Sequence, residues 1–496
     1  MRLGPRGSRV MRRAACGTTP PLPLLKQRRA LCQQTPVLVA ADVDSSTALV
    51  SLRWADGVHR QFHPLWLADN CPSRRHPGTR QKLATAAELP PDVHVASLTP
   101  AGGKLQVHWR QPQGNSESPP SSSSFCASWL RAHGSDTAPQ RPTAAAPGPS
   151  PPSDAVRETL AVPRLRFEDL LSGGEAVRWE WLSAIAKAGA TILEGVPRMV
   201  GTAPPSGDTM AAATAAGSEG GPCDSSLVDG VRFVAELIGP MQPNIYGHIF
   251  DVISQGESAI NLAYTSEAIG PHMDLCYYES PPGLQLLHCL RFDSDVVGGE
   301  SLLLDAFAAA ESLRASHPAA FETLCSVPAT FLKDHSQRAH PVLLSYQRPH
   351  LAVDPRTRRL TGVFWSPPFE GPLRGLDPQT VGAYYDAYRQ LHAAIDAAPR
   401  AELRLREGDM LVFNNRRMLH GRAAFSGGAD GARHLRGGYV NIDEFANAYN
   451  LLRRAHGGGG RAHEHGSGDH APTALLGNQD WASEPIELPR LSAAAA

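Results

Sequence analysis

His272-Met273-Asp274, with His420 in Asn414-Asn415-Arg416-Arg417-Met418-Leu419-His420-Gly421-Arg422 and Arg433 beyond it, supplies the residue types of a metal centre. Two imidazoles and one carboxylate occupy one face of an octahedral Fe(II) and leave three positions open, enough for a ligand that chelates through two oxygens and for O2. Arg433 is then placed to clamp the far carboxylate of that chelating ligand. This is the chemistry of a non-haem iron oxygenase that uses 2-oxoglutarate. A His-x-Asp also occurs at strand ends where the carboxylate only orients the imidazole. With 20 His in the chain, about one such tripeptide is expected by chance, so the surrounding elements have to decide.

Those elements read as strands. Gly283-Leu284-Gln285-Leu286-Leu287-His288-Cys289-Leu290 is an apolar run of buried-strand length that follows the His-x-Asp. Gly408-Asp409 is a turn signal that launches Met410-Leu411-Val412-Phe413, a short strand expected to deliver His420 just past its end. Phe167 to Leu171, Trp179 to Lys187, Ala306 to His317 and Asp377 to Ala398 carry apolar residues at helical steps, and Ala190-Thr191-Ile192-Leu193 reads as a strand. The expected class is mainly β with flanking helices: a double-stranded β-helix, or jelly-roll, catalytic domain preceded by a small β-rich N-terminal domain.

At these residues the chain resembles the gamma-butyrobetaine dioxygenase and trimethyllysine dioxygenase family, within the taurine-dioxygenase-like group of 2-oxoglutarate oxygenases. The resemblance is carried by His272-x-Asp274, Pro282-Gly283-Leu284-Gln285-Leu286-Leu287-His288-Cys289, Leu419-His420-Gly421-Arg422 and Arg433-His434-Leu435, and extends over about Val37 to Arg454. It implies Fe(II) held by His272, Asp274 and His420, 2-oxoglutarate on Arg433, O2 as co-substrate and ascorbate as reductant. It also implies an aromatic cage for a trimethylammonium group at Tyr246, Phe250, Tyr264 and Tyr439, with Asn261 at the carboxylate end of the substrate. A quaternary ammonium donates no hydrogen bond and is best held by π faces. Spacing alone would read the same aromatics as core residues. The reaction so implied is hydroxylation of gamma-butyrobetaine to carnitine. Trimethyllysine hydroxylation and a non-catalytic binding protein on the same scaffold are the alternatives.

The chain departs from the family pattern in places. Phe250 stands where gamma-butyrobetaine dioxygenases usually carry Trp, and Ser366 falls where a second carboxylate-binding Asn is usual. In the N-terminal domain, Leu65-Trp66-Leu67-Ala68-Asp69-Asn70-Cys71-Pro72 resembles the family hallmark, but the zinc-binding cysteines that follow in relatives are replaced by Ser73 and His76 beside Cys71. One thiolate and one imidazole do not close a tetrahedral zinc site, so no structural zinc is expected unless His94 or His108 completes it.

Composition sets outer bounds. With 496 residues, 42% of them hydrophobic, the chain can bury a large core. A net charge of -1 gives no argument for nucleic acid, and the apolar runs are too short to span a bilayer. The eight cysteines are scattered without a Cys-x-x-Cys, which argues against a disulfide framework. The expected partner is a small betaine substrate, with no nucleic acid or membrane and with a homodimer as an expected assembly. Residues 1–35 are Arg-rich and free of acids, the pattern of an organellar transit peptide, mitochondrial first, with plastid or cytoplasmic location as alternatives. The expected organisation is the N-terminal domain over 37–135, a linker over 136–153, the dioxygenase domain over 155–454 with a low-complexity insert near 201–224, and a flexible tail over 455–496.

Overall fold

The computed structural model describes residues 37–110, 121–134, 159–201, 227–253, 262–337, 340–355, 357–427 and 432–456. The leader, the linker 136–153, nearly all of the insert, the His-rich tail beyond His456 and Asn261 lie outside these residues.

Two sheets build the catalytic domain. The larger has six strands in the order Ile249–Ile253, Arg433–Val440, Leu284–Phe292, Met410–Asn414, Ala190–Glu194 and Arg164–Arg166. The smaller has four, Ile269–His272, Met418–Arg422, Ser301–Asp305 and Arg400–Leu403. Met410-Leu411-Val412-Phe413 is wholly buried because both its faces are covered, which is why it reads as a continuous apolar run. This is the jelly-roll arrangement.

His420 departs from expectation. It does not lie just past the Met410–Asn414 strand but at the centre of the next one, Met418–Arg422. A tight turn separates the two: Arg417 N–H donates to the Asn414 carbonyl at 3.1 Å, and Arg416 N–H donates to Asn414 Oδ1 at 3.0 Å. The turn moves the chain from the larger sheet to the smaller within three residues. Met418 and Leu419 are then buried, and His420 pairs in register with His272.

Helices cover the outside. Pro378–Ala397 is capped by Asp377, whose carboxylate accepts from the N–H groups of Gln379 and Thr380, and has Pro at its first position. Ala306–Ser316 is capped in the same way by Asp305. The small sheets Leu38–Val43/Val50–Trp54/His59–Phe62 and Val95–Ala101/Lys104–Trp109/Ser122–Cys126 make the N-terminal domain. Its core is continuous with that of the catalytic domain through Trp66, Tyr385, Tyr388 and Trp365. Trp66 Nε1 also donates to the Leu373 carbonyl at 3.2 Å.

Candidate active site

Pairing His272 directly opposite His420 on adjacent antiparallel strands fixes two imidazoles side by side, with ring centroids 4.3 Å apart. Asp274 lies in the turn that follows. Its Oδ1 is 3.4 Å from His272 Nε2 and its Oδ2 is 3.7 Å from His420 Nε2. One ligand atom from each of the three lies within 4.8 Å of the others, and among the described residues this is the group of His, Cys, Asp and Glu side chains that can hold a metal ion.

The donor set fits Fe(II). His272 Nδ1–H donates to the Gly270 carbonyl at 3.0 Å, which fixes the tautomer and leaves the Nε2 lone pair for a metal. Burial, reinforced by His272, lowers the His420 pKa to about 3, so its imidazole is neutral, as a ligand must be. Burial would raise the Asp274 carboxyl, but its polar surroundings, with the Tyr439 O–H donating to it, outweigh burial and hold the group ionised, below the usual carboxylate range.

Asp274 is also held from behind. Its N–H donates to Asn415 Oδ1 at 3.0 Å, and Asn415 Nδ2 donates back to the Asp274 carbonyl at 3.2 Å and to Pro282 at 3.1 Å. The next residue, Leu275, has φ +58°, a left-handed conformation costly for a branched side chain. Asn415 thus clamps a strained turn. Its role had no signal in sequence beyond its place in the Asn414-Asn415 turn.

The triad opens into a cleft of about 850 Å³ that Tyr246, Phe250, Tyr264, Tyr439 and Arg433 also line, so five further residues singled out from sequence come together with the triad. Phe250 stands between Tyr246, 6.0 Å away, and Tyr439, stacked at 5.3 Å. Tyr439 O–H donates to Asp274 Oδ2 at 2.7 Å, tying this aromatic group to the triad. Burial, with the Asp274 charge nearby, raises the Tyr264 hydroxyl to about 12 and keeps it neutral. Ser366 is fully buried and lies off the cleft.

Arg433 begins the strand Arg433–Val440, opposite Phe292. Its Nε donates to the Gly299 carbonyl at 3.0 Å, and its guanidinium lies between the rings of Phe292 and Phe425, 5.5 and 5.8 Å away. Burial lowers its pKa only to about 10, so it stays a cation. Arg422, which sequence reasoning left without a role, lines the same cleft and spends its guanidinium on the carbonyls of Ala263, Thr265 and Glu267. It thereby fixes the loop that carries Tyr264. Tyr277, Gln285, Ser301 and Gln81 of the N-terminal domain were likewise missed as lining residues.

Among its described residues the N-terminal domain has no comparable donor set. Cys71 Sγ is hydrogen-bonded to Ser73 Oγ at 3.0 Å and Ser123 Oγ at 2.9 Å, and Trp109 Nε1 donates to Ser123 Oγ at 2.7 Å. His76 Nδ1 accepts from the N–H groups of Gly78 and Thr79. One buried thiol, two hydroxyls and a turn-capping imidazole do not fit zinc.

Two family models match the chain: gamma-butyrobetaine hydroxylase-like, N-terminal, over residues 42–131, and taurine catabolism dioxygenase TauD, TfdA family, over residues 155–439. A gamma-butyrobetaine dioxygenase from Pseudomonas sp. (strain AK-1) is 32% identical over 85% of this chain and 97% of that protein. A trimethyllysine dioxygenase from Meyerozyma guilliermondii is 26% identical over 81% of this chain and 93% of that protein. Among solved structures, asparagine oxygenase in complex with Fe(II), 3-hydroxyasparagine and succinate aligns with a TM-score of 0.40 at 17% identity, over 54% of this chain and 81% of that one.

Proposed function

Because the chain belongs to the taurine catabolism dioxygenase TauD, TfdA family and is an Fe(II)- and 2-oxoglutarate-dependent oxygenase, we propose that it hydroxylates gamma-butyrobetaine to carnitine. The observation that carries this reading is an aromatic cage, Tyr246, Phe250, Tyr264 and Tyr439, in the same cleft as a two-histidine, one-carboxylate triad. The identity to a gamma-butyrobetaine dioxygenase over nearly its whole length supports the substrate.

His272, Asp274 and His420 would hold the iron and Arg433 the distal carboxylate of 2-oxoglutarate. Bound together, these groups supply the oxidation of one C–H bond by O2, with 2-oxoglutarate leaving as succinate and CO2. The residues of the chain do the rest. The cage fixes the cationic end of the betaine by π faces, each worth about 0.5 to 2 kcal/mol. Fixing that end places one carbon of the chain beside the metal position, so regiochemistry follows from orientation. Leu287, Leu435 and Ile269 line the wall between the polar groups and limit water at the reacting carbon. The Tyr439 hydroxyl keeps its proton at neutral pH and holds Asp274 in place.

No helix among the described residues is long and apolar enough to cross a membrane. The Arg-rich leader supports delivery to mitochondria, and a homodimer is part of the same proposal.

The deciding experiment incubates the protein with Fe(II), 2-oxoglutarate, ascorbate and O2 and follows succinate and substrate mass. The expected result is gain of one oxygen by gamma-butyrobetaine, abolished by His272→Ala. Gain by trimethyllysine alone would overturn the substrate, and absence of succinate with every betaine would overturn the reaction.

A further inference from the structure

The stretch after Val363 contributes to the cleft through a side chain other than Ser366: Ser366 is buried off the cleft, and Phe369 lines it. Phe369 also lines a second cavity of about 760 Å³, walled by residues of both domains, and shares that double role with Gln81 and Pro368. One ring, one proline and one amide therefore partition two spaces.

The partition stands at the Tyr246 end of the cleft. Phe369 meets Tyr277 edge-on with ring centroids 5.1 Å apart, and both belong to a buried cluster with Tyr439, against which Tyr246 and Phe250 pack. Lys333 Nζ serves as a landmark, 4.9 Å from the Phe369 ring and 6.0 Å from the Tyr246 ring, so the two rings are close neighbours. The partition is also fixed. Pro367 and Pro368 lock two backbone torsions in the one-turn helix Pro367–Phe369. Lys82 N–H donates to the Pro368 carbonyl at 3.0 Å and Arg75 Nη2 to the Glu370 carbonyl at 3.1 Å, while Gly371 N–H donates to the Thr330 carbonyl at 2.8 Å. Phe369 is thus fastened to the N-terminal domain on one side and to the strand Pro328–Asp334 on the other.

We propose that Phe369 is the end wall of the ammonium pocket and sets the largest head group that the cleft accepts. The assignment rests on the trimethylammonium reading of the cleft and adds to it the residue that limits bulk on nitrogen. A quaternary ammonium has no N–H, so no hydrogen bond can count its substituents, and only steric contact can tell a trimethyl from a larger head. A closed apolar wall separates ligands that differ by one methylene by about 10- to 200-fold. Phe369 cannot retreat, because its backbone is held at both ends and a packed wall yields only at a cost. The space behind it is nevertheless open, so truncating the ring joins the two cavities and leaves the triad untouched.

The test compares gamma-butyrobetaine with its triethylammonium analogue, and with an analogue that carries one extra methyl beside the carboxylate, on the full-length holoenzyme. Binding is measured by calorimetry with O2 excluded, and KM in air. Wild type is expected to bind the triethyl analogue at least about 10-fold more weakly than gamma-butyrobetaine. In Phe369→Ala that gap should shrink at least about 5-fold, while the penalty for the methyl beside the carboxylate and the KM for 2-oxoglutarate change less than about 3-fold. An unchanged gap would overturn the assignment, and so would an equal gain for both analogues, which marks general loosening. Wild type that binds triethyl and trimethyl heads equally rejects the wall without any variant. Should the alanine variant fail to fold, Phe369→Leu decides: the gap should narrow in the same sense, and an unchanged gap rejects the wall. Wild type that binds no trimethylammonium acid rejects the trimethylammonium reading itself, before any variant is compared.

Discussion

At the scale of single residues, the proposed cage and the triad proposed to hold iron meet at Tyr439, whose ring stacks on Phe250 and whose hydroxyl donates to Asp274. Tyr439→Phe separates the two roles. The ring survives, so the KM for the betaine should change less than about 3-fold, whereas loss of a hydrogen bond behind a metal ligand typically weakens metal affinity or activity about 10- to 100-fold. An Fe(II) titration read alongside betaine saturation kinetics checks this, and a rise in betaine KM without loss of iron affinity would contradict it. Phe250→Ala should do the reverse. It removes one π face worth about 0.5 to 2 kcal/mol, so betaine KM should rise roughly 2- to 30-fold while Fe(II) affinity holds.

At the scale of elements, the position of Phe250 depends on a glycine across the strand pair. Phe250 and Gly437 are register partners, and a Cβ at position 437 would lie 2.7 Å from the Phe250 ring and 3.1 Å from the Leu286 carbonyl. Gly437→Ala should therefore destabilise the fold by about 1 to 3 kcal/mol and displace the cage ring. Thermal unfolding and betaine KM should worsen together, and adding Phe250→Ala should recover part of the stability but none of the affinity. A single variant with an unchanged melting temperature would show that the strands separate easily. The same scale explains what sequence could reveal. The triad was legible because iron chemistry restricts residue types and because an apolar run announces a strand. The place of His420 within its strand was not, since Met418-Leu419 is too short a run to mark a second strand after a three-residue turn. Asn415 and Arg422 act by binding backbone carbonyls and amides that become neighbours only after folding, and no periodicity encodes that.

At the scale of the whole molecule, the two domains are joined by buried charge that local sequence could not show. Lys82 Nζ lies 2.8 Å from both oxygens of Asp69 and 3.6 Å from Glu370 Oε2. Tyr385 O–H donates to Asp69 at 2.8 Å and Tyr388 O–H to Glu370 at 3.0 Å. Arg75 Nη2 caps the Glu370 carbonyl at 3.1 Å, while Tyr384, beside Tyr388, packs against the same cluster. One ammonium faces two carboxylates here. Burial raises the Glu370 carboxyl to about 7; Asp69 adds to the rise, and Lys82 and Tyr388 oppose it. The folded protein therefore holds a proton that the unfolded chain, titrating near 4.5, has released. Between those two pH values the native state binds more protons than the unfolded state, so stability from this group is fully present below about 4.5 and is lost as pH rises through about 7. Glu370→Gln keeps the shape and removes the titration. Relative to wild type, the variant should gain on the order of 1 to 3 kcal/mol between pH 4.5 and pH 8, measured by denaturant unfolding across that range. A constant difference would mean that Glu370 stays ionised in the folded protein and that Lys82 serves both carboxylates. Because Gln81 is the chain neighbour of Lys82 and lines the cleft, loosening this junction should also raise betaine KM with pH in wild type and not in Glu370→Gln.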